Sequence, residues 1–291
     1  MKDYLISFFD EFKYAPEDAQ CLIGAYDQIC AHEAASGLLS DILAAYEANF
    51  LLSCQKEVFE RAKEISNLTG IHPYTTDLLV CICLTKRLRE LYLEKGFDLQ
   101  LYRNCGYDTR WKLEECKLLK GVCGTFVASW YSGFFGLRRF GFGRLQFDLG
   151  RARCDYNKNG LKLEKDKSFV LNVHIPRTGT PLTKESCDEA YAAAKEFFQK
   201  QTGEDCPFAC HSWLLYPENK EILPPHTNTY RFMSEFDIID WGINDGEDLW
   251  RLFDTDEKDP DKLPTNGSLR RCYVADLIKG CAVGWGYGIK P

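Results

Sequence analysis

Apolar residues in the first 133 positions recur three or four residues apart, the spacing of one face of an amphipathic helix. Pro16 suits the first turn of the second helix, and Gly37 is expected to end that helix. The helix predicted over 99–119 contains Gly106, where a break stays open. The apolar stripes are Leu5, Phe8, Phe9 and Phe12; Leu22, Ile23, Tyr26 and Ile29; Leu38, Leu39, Ile42, Leu43 and Tyr46; and Leu78, Leu79, Ile82, Leu84, Leu88, Leu91 and Tyr92. We therefore predict an all-helical domain over residues 1–133.

The pattern changes near Gly133, where glycine, phenylalanine and arginine interleave and apolar positions begin to alternate. Short alternating or β-branched runs from there to the C-terminus predict strands. The predicted strands are 145–149, 161–164, 168–175, 209–216 and 236–241, with a closing hairpin formed by 269–274 and 281–287. The first three are joined by turns and should be antiparallel neighbours. Residues 134–291 are therefore predicted to form a mixed α/β domain, which makes the whole chain α+β.

The stretch from Ser168 to Phe198 organises this second domain. A buried strand ends at Pro176, a polar turn follows, and Thr183 is placed to cap a helix. A helix that connects two strands of one sheet makes them parallel, so 168–175 and 209–216 are predicted to pair in parallel. The turn receives free N–H groups and the positive end of the helix dipole, and Arg177 adds a full charge. We therefore predict that the turn binds an anion such as phosphate.

Composition narrows the function classes. The chain has 291 residues, and its hydrophobic content of 45% is that of a globular protein. The net charge of −7 disfavours a nucleic acid or an anionic membrane as partner. The N-terminus lacks the apolar core of a signal peptide, and no apolar run approaches the roughly 20 residues of a membrane helix. We therefore expect a cytoplasmic protein that acts on a small molecule, of unknown oligomeric state.

Fourteen cysteines are scattered through the chain without paired CxxC sets. This spacing supports neither a zinc site nor a disulfide framework, so we expect no metal and expect buried, reduced thiols. The acidic stretch 254–261 has the carboxylate content of a calcium-binding loop. Pro260, the absent glycine at the sixth place and the absent glutamate at the twelfth exclude that pattern, so we interpret the stretch as a solvated loop.

The order of elements after residue 134 resembles the GNAT acyltransferase fold. The resemblance rests on Gly143-Arg144-Leu145-Gln146-Phe147, on His174-Ile175-Pro176 with Gly179 and Leu182, on Cys210-His211-Ser212-Trp213-Leu214-Leu215, and on Asn228 with Arg231-Phe232. The helical first half resembles the N-terminal domain that accompanies this module in bacterial acyltransferases. One departure concerns the phosphate loop, which in better-known GNAT enzymes is Q/R-x-x-G-x-G/A. Here Pro181 lies near the last glycine of that pattern and removes one N–H.

The resemblance implies an enzyme that moves an acyl group, expected to be acetyl, from acyl-CoA to an amine or hydroxyl. Acyl-CoA would be the co-substrate. Its implied binding residues are Ile175, Arg177, Thr178, Gly179, Thr180 and Leu182. The reaction needs a base for the proton of the attacking group, and histidine titrates near neutrality. We expect His211 to be this base, with His174 the second candidate and Tyr230 a candidate acid.

Two other function classes stay open. A GNAT-like module that has lost catalysis would bind a ligand or a protein, and Pro181 in the turn favours this reading. A cysteine-dependent hydrolase or redox protein is supported only by the number of cysteines. Cys210 precedes His211, but adjacent strand residues point to opposite faces, so the two cannot simply pair as nucleophile and base.

Overall fold

The computed structural model describes residues 1–49, 55–158, 160–244, 246 and 249–291. The chain divides into two compact units, Met1–Phe140 and Gly141–Pro291. Each unit has its own helices or strands and its own buried residues, and each is described by itself below.

Up to Phe135 the regular elements of the first unit are all helical, as the periodicity predicts, and its last two residues begin the first strand of the sheet described below. Its helices are α1 (Lys2–Glu11), α2 (Pro16–Ala31), α3 (Glu33–Ala48), α4 (Gln55–Thr69), α5 (Pro73–Glu94), α6 (Leu99–Lys120) and α7 (Ser132–Phe135), with a 3₁₀ turn at Ala128–Tyr131. The middle of the unit is α5, which packs against α2, α3, α4 and α6. Its run from Leu78 to Leu84 is buried on every side, because neighbouring helices surround it.

Neither of the two glycines considered as helix breaks in this unit ends a helix. The break expected at Gly37 is wrong: α2 ends at Ala31, and the His32 ring accepts a hydrogen bond from the N–H of Ala35 at the start of α3. Helix α6 runs unbroken through Gly106. A Cβ at Gly106 would lie 2.2 Å from the ring of Phe12, so this glycine makes room for a core aromatic residue instead of ending the helix.

Asp77, in the second turn of α5, is a carboxylate whose ionisation opposes folding. Burial raises the pKa of Asp77 to about 6, from an ordinary value of 3.8. A carboxyl group with a raised folded-state pKa contributes stability below its unfolded pKa, and that contribution is lost as the pH rises through the folded value. Asp77→Asn is therefore expected to raise the free energy of unfolding at neutral pH by about 1 kcal/mol, after allowance for solvent screening.

Urea unfolding at neutral pH and below about pH 3.5 tests this prediction. Both forms should be equally stable at the acidic pH, where the wild-type carboxyl is protonated. A variant that is less stable than wild type at neutral pH would contradict the prediction.

The second unit contains a six-stranded sheet with the order β1-β2-β5-β6-β8-β7 and a separate hairpin, β3-β4. Its strands are β1 (Arg139–Phe142), β2 (Leu145–Arg151), β3 (Tyr156–Lys158), β4 (Leu161–Leu163), β5 (Phe169–His174), β6 (Phe208–Ser212), β7 (Asp237–Asn244) and β8 (Val283–Lys290). Its helices are α8 (Lys184–Thr202), α9 (Asn219–Ile222), α10 (Asn228–Ser234), α11 (Leu249–Phe253) and α12 (Ser268–Ile278), with 3₁₀ turns at Trp213–Leu215 and Pro260–Lys262.

The predicted centre of this sheet is confirmed. Strand β2 pairs with β5 in antiparallel orientation, and β5 pairs with β6 in parallel orientation across the connecting helix α8. Thr183 caps α8, because its hydroxyl accepts a hydrogen bond from the N–H of Ser186 at 3.2 Å. Strands β7 and β8 match the predicted runs over 236–241 and 281–287, and they pair with each other.

One predicted pairing and one predicted strand are wrong. The run over 161–164 is a strand, as predicted, but it is not an antiparallel neighbour of β2 or β5. It pairs with β3 in the separate hairpin, and its apolar residues pack against Val170 and Tyr287. The run over 269–274 lies within α12, which buries Tyr273 and Val274. A short apolar run can form either a strand or a helix, and its local pattern does not distinguish the two.

The predicted strand over 209–216 ends early for a packing reason. After Ser212 the chain turns into the 3₁₀ turn at Trp213–Leu215, which lies directly on β8. A Cβ at Gly286 would lie 2.1 Å from the carbonyl oxygen of Leu215, so the close approach requires glycine at that position of β8. The early turn ends β6 at Ser212. The last residues of β6 pair with β8 but not with β5.

Candidate active site

The candidate site is built around the gap between β5 and β6. The two parallel strands pair over only two positions, Leu171–Asn172 on β5 and Phe208–Ala209 on β6. Beyond those positions β5 continues beside β2 to His174, and β6 continues beside β8 to Ser212. The carboxyl ends of the two strands therefore diverge. In open α/β sheets, ligands bind at such carboxyl ends.

His174 and His211 both lie at this gap, on the same face of the sheet. The parallel register and the alternation of side chains along both strands place them there. The opposite face packs on α8, where the rings of Tyr191 and Phe208 lie 4.7 Å apart. The sheet thus brings together the two histidines that the sequence singles out.

His174 is part of a polar cluster with Asp148 and Asn172. The antiparallel register places Asp148 of β2 opposite Asn172, two residues along β5 from His174 and on the same face of the sheet. The Nε2 atom of His174 lies 2.9 Å from Oδ2 of Asp148, and the amide of Asn172 donates to Oδ1 of Asp148 at 2.9 Å. The side chains of His174 and Asp148 are 26% and 17% exposed, so the pair is shielded but reachable from solvent.

Sequence reasoning did not identify Asp148 and Asn172. The signal that could have found them is the alternation of β2, where a charged residue stands between the apolar residues Phe147 and Leu149. A carboxylate on a strand next to the central one is a natural partner for a histidine of that strand. The exact pairing, however, depends on the register between β2 and β5, which the two separate runs do not determine.

His211 has different surroundings from His174. Its side chain is exposed, and its ring centroid lies 4.7 Å from that of Trp285, with the planes tilted by 41°. The β6–β8 register places Trp285 diagonally across from His211 on the same face. The two rings form an aromatic surface beside the gap, which suits contact with the body of a bound molecule.

Tyr230 is not drawn into this cluster by hydrogen bonds. It lies in the first turn of α10, where its N–H donates to the Thr227 cap. Within the part of the chain that the structure describes, its hydroxyl makes no hydrogen bond to His174 or His211. Its predicted role as an acid stays a prediction.

Arg144 holds the polar turn between β5 and α8 by hydrogen bonds to two of its carbonyl groups. The guanidinium donates to the carbonyl of Thr180 at 3.0 Å and to that of Pro176 at 2.8 Å. Burial lowers the pKa of Arg144, but an arginine stays charged at neutral pH. Gly179, with φ of +75°, adopts the left-handed conformation that the turn needs. Arg144 therefore holds both ends of the turn, although sequence reasoning gave it no role.

The turn presents backbone donors to solvent. Within the described residues, the N–H groups of Gly179, Leu182, Lys184 and Glu185 donate no hydrogen bond. Pro181 contributes none, as the sequence predicts. Gly179 and Thr180 are exposed, while Ile175, Thr178 and Leu182 are half-buried. Most of the predicted cofactor-binding residues thus surround a set of donors at a helix N-terminus, an arrangement suited to phosphate.

Arg177 is engaged in an ion pair. Its Nη1 atom lies 2.6 Å from Oδ1 of Asp254, in the stretch interpreted from sequence as a solvated loop. The second oxygen of Asp254 lies 2.6 Å from Nη2 of Arg270, at the start of α12. Arg177, which is predicted to bind phosphate, therefore shares the Asp254 carboxylate with a second arginine.

The thiol beside His211 is chemically inert. Burial raises the pKa of Cys210 to about 12, so the nucleophilic thiolate is scarcely populated at neutral pH. Cys210 also faces α8, away from His211. No group of three or more His, Cys, Asp or Glu side chains among residues 1–49, 55–158, 160–244, 246 and 249–291 could hold a metal ion.

Cys210→Ala is expected to change the kcat of the acyl transfer implied by the resemblance to GNAT enzymes by less than about twofold, because a buried thiol with a raised pKa is a poor nucleophile. The measurement is steady-state CoA release by folded protein, with the melting temperature recorded on the same preparation. A loss of more than about tenfold in kcat at an unchanged melting temperature would return the cysteine to the mechanism.

The comparisons with known proteins agree with this geometry. Residues 139–290 match the GNAT-like C-terminal domain, and residues 3–137 match the N-acyltransferase N-terminal domain. Among curated proteins, none matches the chain. No helix in the described part of the chain is long and apolar enough to cross a membrane.

Solved structures share the fold at low sequence identity. An acyltransferase mutant in complex with octanoyl-CoA is similar with a TM-score of 0.77 and 18% identity, over 99% of this chain and 87% of that one. An acyltransferase in complex with decanoyl-CoA and teicoplanin is similar with a TM-score of 0.74 and 19% identity, over 98% of this chain and 87% of that one. An acyltransferase in complex with decanoyl-CoA alone has a TM-score of 0.66 and 16% identity, with 98% of each chain covered.

Proposed function

The chain belongs to the family that joins an N-acyltransferase N-terminal domain to a GNAT-like C-terminal domain, and on this premise we propose that it transfers an acyl group from acyl-CoA to a small acceptor. The acceptor presents an amine or a hydroxyl. The observation that carries the proposal is the position of the Asp148–His174 pair beside the gap between β5 and β6. A base oriented by a carboxylate stands where a thioester laid into that gap would meet its acceptor.

The hydrogen bonds of Asp148 support Nδ1 as the reactive atom of His174. An ionised carboxylate only accepts hydrogen bonds, so Nε2 of His174 carries the proton shared with Asp148. Nδ1 then has the lone pair and acts as the base. Asp148 also stabilises the imidazolium that forms when Nδ1 takes a proton, and Asn172 fixes the carboxylate in position.

The transfer step balances with these groups. As the acceptor nitrogen or oxygen bonds to the thioester carbon, its proton passes to Nδ1 of His174. The carbon–sulfur bond then breaks, and CoA leaves as a thiolate that takes a proton from the imidazolium or from another acid. We keep Tyr230 as a candidate for that acid.

The geometry favours His174 over His211 as the base. The ring of His174 is oriented by a carboxylate 2.9 Å away, whereas the exposed ring of His211 packs against Trp285. We propose that His211 and Trp285 contact the acceptor as an aromatic surface. His211 stays the second candidate for the base.

The donor is an acyl-CoA whose phosphates lie on the turn over 176–182, held in shape by Arg144. Acetyl is the acyl group expected from the sequence. Octanoyl-CoA and decanoyl-CoA appear with similar structures, so medium-chain donors are equally proposed. A GNAT-like module that binds a ligand or a protein without catalysis is the second candidate, because Pro181 lacks an N–H and Arg177 is paired with Asp254, and both features weaken the phosphate site.

The test is a product assay with the full chain. Acetyl-, octanoyl- and decanoyl-CoA are each incubated with a panel of small amines, amino sugars and teicoplanin, and the mixtures are analysed for free CoA and for acylated acceptor. We expect acceptor-dependent release of CoA matched by a mass gain of one acyl group. Thermal stabilisation by an acyl-CoA without any product would favour the non-catalytic module, and the absence of both binding and product would overturn the proposed acyl transfer.

A further inference from the structure

The Asp254 carboxylate bridges two arginines that are far apart in sequence. One oxygen pairs with Arg177 of the turn after β5, and the other pairs with Arg270 of α12, each at 2.6 Å. Arginine forks bind carboxylate and phosphate in the same bidentate manner. A phosphate placed between the two guanidiniums would meet the same donors that Asp254 now meets.

Arg270 is held in place without Asp254. Its Nε atom donates to the carbonyl of Leu252 at 2.8 Å, and its Nη1 atom donates to the side chain of Asn266 at 2.7 Å. Only Nη2 is directed to Asp254. The Arg270 side chain is 18% exposed, so its charge is partly desolvated and attracts anions more strongly than a solvated charge does.

The N–H of Asp254 donates to the carbonyl of Trp250 at 2.9 Å, and the carboxylate is held by the two arginines. Its backbone has φ of +61°, a left-handed conformation that costs a residue other than glycine of order 1 kcal/mol. The segment that follows is stabilised by its own local hydrogen bonds, in which Glu257 N–H donates to Thr255 and the N–H groups of Lys258 and Asp259 donate to Glu257. Within the described residues, the Asp254 carboxylate forms no hydrogen bond or ion pair other than those to Arg177 and Arg270, so its side chain can leave both arginines while the backbone stays in place.

Charge makes the arrangement unfavourable for a polyphosphate unless Asp254 moves. Residues 254–261 contain five acidic residues and one lysine. With Asp254 in place, the charge of Arg177 is already neutralised by the ion pair, so Arg177 attracts an incoming phosphate only weakly. The neighbouring carboxylates repel the phosphate. Acyl-CoA carries several negative phosphates, so its binding must overcome this competition.

We propose that Arg177 and Arg270 together bind a phosphate group of acyl-CoA, and that the Asp254 carboxylate occupies this position in the absence of the ligand. The inference rests on the proposed function, since it names a second phosphate ligand for the same donor. Binding of acyl-CoA then displaces Asp254 from both arginines. Asp254 is an internal competitor that lowers the affinity for the donor.

The experiment compares Asp254→Asn with Asp261→Asn by isothermal titration with CoA and with octanoyl-CoA. Asparagine has the shape of aspartate and tolerates the left-handed conformation, but it does not compete as an anion. We expect Asp254→Asn to lower the Kd for CoA by roughly tenfold. Asp261→Asn removes the same charge from the same segment, and Asp261 forms no ion pair within the described residues, so its effect should be below about threefold.

A double variant separates loss of competition from a general change in charge. Adding Arg270→Gln to Asp254→Asn should abolish the gain, because the phosphate then loses its second guanidinium. If Asp254→Asn proves unstable, Asp254→Gly serves instead, since it removes the carboxylate and relieves the left-handed residue. A melting curve of each variant confirms folding.

The outcomes distinguish this inference from the proposed function. An unchanged or raised Kd in Asp254→Asn, with CoA bound by the wild type, overturns the inference and leaves the proposed function standing. A gain that survives Arg270→Gln also overturns it. Failure of wild type and variants alike to bind any acyl-CoA overturns the proposed function and the inference with it.

Discussion

Replacing His174 by glutamine is expected to lower the kcat of acyl transfer by roughly 10²–10⁴-fold, the usual loss when a general base is removed. Glutamine keeps a polar group near Asp148 but cannot take a proton from the acceptor. The Kd for acyl-CoA should change by less than about threefold, because the proposed phosphate site is the turn over 176–182 and not the imidazole.

His226→Gln is the matched control for this prediction. His226 is an exposed histidine of the same unit, and within the described residues it makes no ion pair or ring contact. This variant should keep wild-type kcat. Asp148→Asn should lower kcat by roughly 10–10³-fold, because an amide no longer fixes the tautomer of His174 or stabilises the imidazolium. A His174→Gln variant that loses melting temperature but keeps its kcat would show that the histidine is structural.

Replacing Arg144 by methionine is expected to weaken acyl-CoA binding by roughly 10- to 100-fold. The substitution keeps much of the apolar volume but removes the two hydrogen bonds that hold Pro176 and Thr180. Hydrogen bonds from a charged donor contribute about 1.5–3 kcal/mol each, and their loss lets the turn adopt conformations in which its N–H groups no longer converge.

Arg151→Met is the control for Arg144, because Arg151 also donates to a loop carbonyl, that of Lys167, from the far end of β2. It should leave the Kd for acyl-CoA within about threefold of wild type. Titration of both variants with CoA, alongside urea unfolding, separates a local loss of the turn from a general loss of stability. Equal weakening by both variants would mean that the turn over 176–182 is not specifically supported by Arg144.

The elements that sequence predicts well are those whose signal is local. Helical spacing identifies the first unit, and the order strand, polar turn and Thr183 cap identifies the β5–α8 connection. The connecting helix also determines the parallel pairing of β5 and β6. These features depend on residues close together in the chain, so the pattern contains them.

The features that escaped prediction depend on distant contacts. The Asp148–His174 pair needs the register between two strands, and the Arg177–Asp254 pair joins residues from separate loops. The run over 269–274 forms a helix that buries Tyr273 against the rest of the unit, and its short apolar pattern does not reveal this packing. In each case the tertiary structure, and not the local sequence, decides which groups meet.

The most direct test of the central claim is a single product assay on wild type, His226→Gln and His174→Gln. Each folded protein is incubated with acetyl-, octanoyl- or decanoyl-CoA and the acceptor panel, and acylated acceptor is quantified by mass spectrometry while CoA binding is measured on the same preparation. The account predicts product from wild type and from His226→Gln, and a yield roughly 10²–10⁴-fold lower from His174→Gln at similar CoA affinity. Equal rates of product formation in all three proteins, or acyl-CoA bound with no acylated acceptor from any of them, would contradict it.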